Sequence, residues 1–108
     1  MRKPLRWLGD AITIPPFSEE AAREAAGLLE VVALGGVLAM PYCRPMRSVG
    51  RRCFELRVND RNQTWRIIYH VADDAIVILD VFSKKSRVTP RRVIDRCRRR
   101  LNRYERGS

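Results

Sequence analysis

Between Cys53 and Val71 the chain alternates apolar and polar residues with a period of two. Phe54, Leu56 and Val58 alternate with Cys53, Glu55 and Arg57. Trp65, Ile67, Tyr69 and Val71 alternate with Arg66, Ile68 and His70. That period puts each set on one face of a strand. Asn59, Asp60, Arg61 and Asn62 separate the runs and are turn formers. The pattern predicts an antiparallel hairpin whose paired residue numbers sum to 123. Leu56 then faces Ile67, Phe54 faces Tyr69, Val58 faces Trp65, and one face is wholly apolar. On the other face Arg57 lies directly opposite Arg66. A slip of one residue would bury both arginines, so the hydrophobic pattern favours this register. Like charges directly opposite each other destabilise a sheet. The pair therefore points to an anion lying over it, or to two solvated arginines with their stems on the sheet.

A third run, Ala75 to Phe82, is almost continuously apolar, which suits a central strand covered on both faces. Asp80 is its one exception. The run ends in Ser83-Lys84-Lys85-Ser86-Arg87, a basic cluster at a strand end.

The rest of the chain reads as follows. Leu5 and Trp7 alternate with basic neighbours, and Pro4 suits the start of a short edge strand. Pro15-Pro16 marks a linker. Ser18 caps a helix with Glu19 and Glu20 in its first turn, and Ala22, Ala25, Ala26, Leu29 and Val32 recur at helical spacing. Gly35-Gly36 stops it. Pro41 and Pro45 argue against a continuous helix over 37–52, leaving a helical turn and a loop that carries Arg44, Arg47, Arg51 and Arg52. Thr89 as N-cap and Pro90 at the first helical position open a last helix. Val93, Ile94, Cys97, Leu101 and Tyr104 form its apolar stripe. Arg91, Arg92, Arg96, Arg98, Arg99, Arg100 and Arg103 occupy the opposite face, where they repel one another at helical spacing. That face is either solvated or a contact for a polyanion.

Composition sharpens this picture. The chain has 108 residues and a formal net charge of +10, which fits one domain, 1–108, with a polyanionic partner such as nucleic acid or the ribosome. The excess is local: Lys84 to Arg106 holds eleven basic and two acidic residues, and the remainder of the chain is nearly balanced. Cys43, Cys53 and Cys97 lack the spacing of a disulfide framework or zinc site. They read as small core residues in a reducing compartment. No signal peptide, lipidation motif or long apolar span is present, so the expected location is the cytoplasm, with no membrane partner.

The usual catalytic motifs are missing. His70 is the sole histidine, which excludes a two-histidine ribonuclease mechanism. There is no P-loop, dinucleotide fingerprint or metal motif, so no cofactor and no metal are expected. What remains is a basic set, Arg57, Arg66, Lys84, Lys85 and Arg87, with Tyr69 and His70 nearby in sequence. Fixed cations of this kind can promote attack of an RNA 2′-hydroxyl on the adjacent phosphorus by stabilising the charge that develops.

RWLGD near the start, CFELRV, TWRIIYH and FSKKSRVTP resemble the phage-derived branch of the HigB/RelE toxins of type II toxin–antitoxin modules, over essentially the whole chain. The resemblance implies an α+β, RelE-like fold: N-terminal helices packed on a twisted, mainly antiparallel sheet, with a basic C-terminal helix. It implies a ribosome-dependent mRNA endonuclease and a cognate antitoxin, with a helix-turn-helix protein as the expected form. By position it carries the family's arginines to Arg57 and Arg66 and its lysine pair to Lys84 and Lys85. Ser86 fills a position that is usually threonine. On this reading Arg66 and Lys84 contact the scissile phosphate, and Lys85 and Arg57 position RNA or take part in proton transfer. Arg87, Arg91, Arg92, Arg98, Arg99 and Arg103 grip nucleic acid. The competing readings are a non-catalytic RNA- or ribosome-binding regulator on the same scaffold, and a free ribonuclease.

Overall fold

The structure, a computed structural model, describes residues 2–8, 17–38, 42–84 and 88–107, with Lys84 described for its backbone only. In chain order the elements are β1 (Leu5–Trp7), α1 (Glu19–Ala33), β2 (Cys43–Pro45), β3 (Cys53–Asn59), β4 (Thr64–Val71), β5 (Ile76–Lys84) and α2 (Arg91–Gly107). The strands form one mixed sheet in the order β1-β5-β4-β3-β2. Only β1 runs parallel to its neighbour β5; the other three pairings are antiparallel.

The β3–β4 hairpin takes the register expected from its pattern. Phe54 pairs with Tyr69, Leu56 with Ile67, Val58 with Trp65 and Arg57 with Arg66. β5 is an interior strand, between β1 and β4, and is buried on both sides from Ile76 to Leu79. On one face Leu56, Val58, Trp65, Ile67, Tyr69, Ile76 and Ile78 pack against Ala21, Ala25, Leu29 and Val32 of α1. On the other, Cys53, Ile68, Val77 and Leu79 pack against Val93, Cys97 and Leu101 of α2. Phe54 and Val81 are partly buried, and Leu56, Ile67, Tyr69, Leu79, Val93, Cys97 and Leu101 are buried.

An irregularity in the β4–β5 ladder settles the place of Asp80. Ile68 pairs with Asp80 and Tyr69 with Ile78, so Leu79 is the extra residue of a bulge. Leu79 packs beneath α2, and Asp80 is drawn toward the same helix. Its carboxylate accepts from Arg96 Nε at 3.0 Å and lies 3.4 Å from Arg100 Nη1. The Arg100 guanidinium also donates to the Leu79 carbonyl at 2.7 Å.

α1 begins as its sequence predicts. Ser18 Oγ accepts from the Ala21 amide at 3.1 Å. Its end is a Schellman motif: Gly36 N–H donates to Val31 O, Gly35 N–H to Val32 O, and Gly35 sits at φ 93°, where glycine carries no Cβ penalty. The N-terminal cap is tied to the sheet through Asp60. That carboxylate accepts from the Ser18 amide, the Arg61 amide and Trp65 Nε1, at 3.0, 2.8 and 3.2 Å.

Five expectations need correction. The described residues contain one N-terminal helix rather than several. Ala22 and Ala26 face solvent, and Ala21 joins Ala25, Leu29 and Val32 on the buried side; alanines on both sides of a helix leave its phase undetermined until Leu29 and Val32 dock. The 42–52 stretch contains an edge strand, β2, which pairs with β3 through Cys43 and Leu56. A Pro at the outer end of an edge strand is compatible with this. The helix α2 starts at Arg91, with the Pro90 carbonyl accepting from Val93 and Ile94, and the Thr89 hydroxyl is turned to the sheet. Finally, Arg96 and Arg100 do not share the solvated face of α2, because Asp80 pulls both inward.

The hydrogen bonds to Asp60 hold its carboxyl far below the ordinary aspartate value of 3.8, the Ser18 amide contributing most. A depressed carboxylate stabilises the fold above its unfolded pKa and ceases to do so as pH falls through its folded value. Asp60→Ala should therefore lower the melting temperature at neutral pH. The gap from wild type should narrow below about pH 3.8. Thermal melts monitored by circular dichroism from pH 7 to pH 2 check both.

Candidate nucleic-acid interface

The face of the sheet that carries α2 changes character beyond the helix N-terminus. Period-two alternation, which put Leu56 and Ile67 under α1, puts Glu55, Arg57 and Arg66 on this side. Arg66, 5% exposed, sits opposite Arg57 on β3 and Phe82 on β5. Two guanidinium groups thus face each other in a half-buried sheet surface.

What makes this tolerable is Glu55, which is 1% exposed. Its Oε1 accepts from Arg66 Nη1 at 3.2 Å and from Arg44 Nε of β2 at 3.1 Å. Its Oε2 accepts from the Thr89 hydroxyl at 2.7 Å. One carboxylate thus joins β2, β4 and the segment leading into α2. It is outnumbered, however: Arg44, Arg57 and Arg66 surround a single negative charge, leaving a net excess of positive charge.

Two donors on this surface remain without acceptors. The Nε atoms of Arg57 and Arg66 are buried and make no hydrogen bond among the described residues. A buried donor without a partner costs roughly 1–3 kcal/mol, more when charged. Burial lowers the pKa of Arg66; Glu55 opposes this, while Arg57 and Arg44 lower it further. A guanidinium stays charged regardless, so the pair offers two charged donors to an incoming acceptor.

The other site residues distribute as follows. The Lys84 Cα pairs with Thr64, two positions along β4 from Arg66 and so about 7 Å away. Lys85 and Arg87 lie outside the described residues. Arg91, Arg92, Arg98, Arg99 and Arg103 are exposed along α2, and Arg91 pairs with Asp95 at 3.2 Å.

Tyr69 and His70 do not join this surface. Tyr69 lies on the α1 side, 2% exposed, with its hydroxyl 3.2 Å from Cys43 Sγ. Burial pushes its pKa up strongly, with the Cys43 contact adding to the effect. His70 is four residues from Arg66 along β4, about 13 Å, with Nδ1 3.0 Å from the Arg51 carbonyl. Burial lowers its pKa, the carbonyl contact opposing. Among the described residues no cluster of histidine, cysteine or acidic side chains could hold a metal ion, and no helix is long and apolar enough to cross a membrane.

The sequence reading did not single out Glu55, Thr89 or Arg44. Glu55 was within reach: it shares the Arg57 face and lies diagonally from Arg66 in the predicted register. Thr89 and Arg44 arrive from distant chain segments, and nothing local ties either of them to Glu55.

Removing the carboxylate leaves buried arginines without a counter-ion, the costly way to break such a pair. Glu55→Ala should destabilise the fold by about 3–5 kcal/mol, and Glu55→Gln by less, since the amide oxygen still accepts. Urea unfolding followed by fluorescence gives both values. Asp80→Asn should likewise loosen α2, read as faster amide exchange across 93–101.

No curated protein matches the chain at a significant level. Residues 14–102 match the model of the family described as phage-derived protein Gp49-like (DUF891). The chain therefore belongs to this Gp49-like family of phage-derived proteins, whose members are toxin-like, of RelE/HigB character.

Proposed function

We propose that the protein is the toxin of a type II toxin–antitoxin pair, built on a RelE-like scaffold, and that it cleaves mRNA on the ribosome. The observation that carries this reading is the Arg57–Arg66 pair, with two buried Nε donors open and one carboxylate to three guanidiniums. Family membership supports it. The substrate is a phosphodiester, the anion whose transition state gains most charge. The 2′-oxygen attacks phosphorus, the bond from phosphorus to the 5′-oxygen breaks, and a cyclic phosphate is left. Arg66 and Lys84 stabilise the phosphorane oxygens. Arg57 positions the phosphate, since a guanidinium does not give up its proton. Proton exchange with the 2′- and 5′-oxygens falls to the lysines of the 84–85 pair, whose amines, unlike a guanidinium, can give up a proton. The exposed arginines of α2, with Arg87, hold ribosomal RNA. A cognate antitoxin covers this surface in the inactive complex.

Single-turnover cleavage on programmed ribosomes tests the chemistry. Arg66→Ala and Lys84→Ala should each lose roughly 10²–10³-fold, the effect of removing one preorganised donor, while circular dichroism reports an intact fold. His70→Ala should cost much less. A dead His70→Ala beside near-normal Arg66→Ala and Lys84→Ala would sink the proposal. Binding to ribosomes without any cut message would favour a regulator in place of a nuclease. Cleavage of free RNA at the same rate would favour a ribosome-independent ribonuclease.

Ribosome affinity should fall steeply with salt, because phosphate contacts release counterions. Neutralising Arg98, Arg99 and Arg103 together should shallow the log–log slope by up to about 2, at roughly 0.7 per single-strand phosphate. A slope near zero for the wild type would remove α2 from the interface.

A further inference from the structure

The β2–β3 connection presents a second set of arginines that the reaction above does not use. Met46 and Val49 are buried against the α2-side core and anchor this turn. The Met46 amide donates to Cys53 O, and the Val49 and Gly50 amides donate to Met46 O. A Cβ at Gly50 would lie 3.0 Å from the Leu101 side chain, so the turn is pressed onto α2. Arg52 follows in the left-handed region at φ 56°, a conformation that costs a non-glycine residue energy. The surrounding bonds hold it there, with the Val71 amide on its carbonyl and Asp73 on its guanidinium.

This turn borders an open cavity of about 590 Å³ lined by Pro45, Arg47, Arg51, Arg52, Cys53 and Phe54. Its wall is an aromatic ring and a proline; its rim is cationic. Phe54 is backed by Tyr69, with ring centroids 5.5 Å apart and planes 27° from parallel. Arg47 and Arg51 are exposed and make no ion pair among the described residues. The cavity lies at the β2 edge of the sheet, with Phe54 and Pro45 in register on the α1 side and the Arg57–Arg66 pair on the opposite face. Pro45, on its wall, follows Arg44, and Arg44 reaches Glu55 beside Arg66. Cys53 precedes Arg57 by four residues on β3, about 13 Å.

We propose that this cavity is a subsite for one unpaired nucleotide of single-stranded RNA, its base against Phe54 and Pro45 and its phosphates on Arg47 and Arg51. An aromatic platform edged by arginines suits any base, since every base has a π-face. The subsite rests on the proposed RNA substrate for its ligand class.

The test titrates the full chain into a twelve-nucleotide single-stranded RNA with a central 2-aminopurine, at several salt concentrations. Wild type should bind and quench the fluorophore. Arg47→Ala with Arg51→Ala should shallow the salt slope by about 1.4, two contacts at roughly 0.7 each. Phe54→Leu should weaken binding about tenfold and relieve the quench with no change in slope, and an abasic nucleotide should mimic it. No binding by wild type, an unchanged slope in the arginine variant, or an abasic RNA that binds as tightly as the parent would overturn the subsite. Cleavage lost in every assay while this binding persists would overturn the proposed reaction and leave the subsite standing. On programmed ribosomes, a Phe54-dependent quench from label in the message assigns the nucleotide to mRNA. Phe54-dependent ribosome binding without that quench assigns it to ribosomal RNA.

Discussion

The Glu55 carboxylate determines how much positive charge the open end of the sheet can hold. A lone guanidinium at the depth of Arg66 would be expelled or would drag water in with it. A carboxylate at 3.2 Å makes its burial possible, and the same group fixes Arg44 and Thr89. Three elements distant in sequence thereby meet at one atom pair. Because Glu55 supplies only one charge, the neutralisation is partial, and the Nε donors of Arg57 and Arg66 make no hydrogen bond among the described residues.

The two faces of the sheet divide the work. The α1 side is an ordinary hydrophobic core, and its apolar run reaches Val58 and Trp65 at the hairpin end. On the α2 side the helix covers only part of the surface, and the rest carries the charged residues. The bulge at Leu79 sets where that division falls. It brings Asp80 under α2, where Arg96 and Arg100 close on it. Those two arginines fasten the helix, and Arg92, Arg98, Arg99 and Arg103 keep their charge facing solvent. An arginine-rich helix is thus held on the sheet by the same residue type that it displays.

Much of this was determined by the sequence alone. The alternation from Phe54 to Val71 favours one register, since a slip of one residue would carry Arg57 and Arg66 onto the apolar face. The Arg57–Arg66 juxtaposition follows from that register without further information. The continuous apolar run of β5 required cover on both faces, and Ser18 and Gly35-Gly36 bounded α1 through local cap chemistry. The arginine-rich face of α2 was equally plain from its spacing.

Only the tertiary structure decided which charges are spent inside the protein. Nothing near Asp80 in sequence shows that Arg96 and Arg100 belong to it, because the bulge that aims it depends on how two strands accommodate an extra residue. The phase of α1 was hidden by alanines on both its sides. Strand β2 is three residues long and is defined by its pairing with β3, beyond the reach of any local pattern. Thr89 looked like a helix cap because local chemistry allows it, yet a buried carboxylate from β3 takes its hydroxyl. Periodicity and caps are short-range properties that a single segment can express. Ion pairs between distant elements depend on where packing places them, and that is decided by the assembled fold.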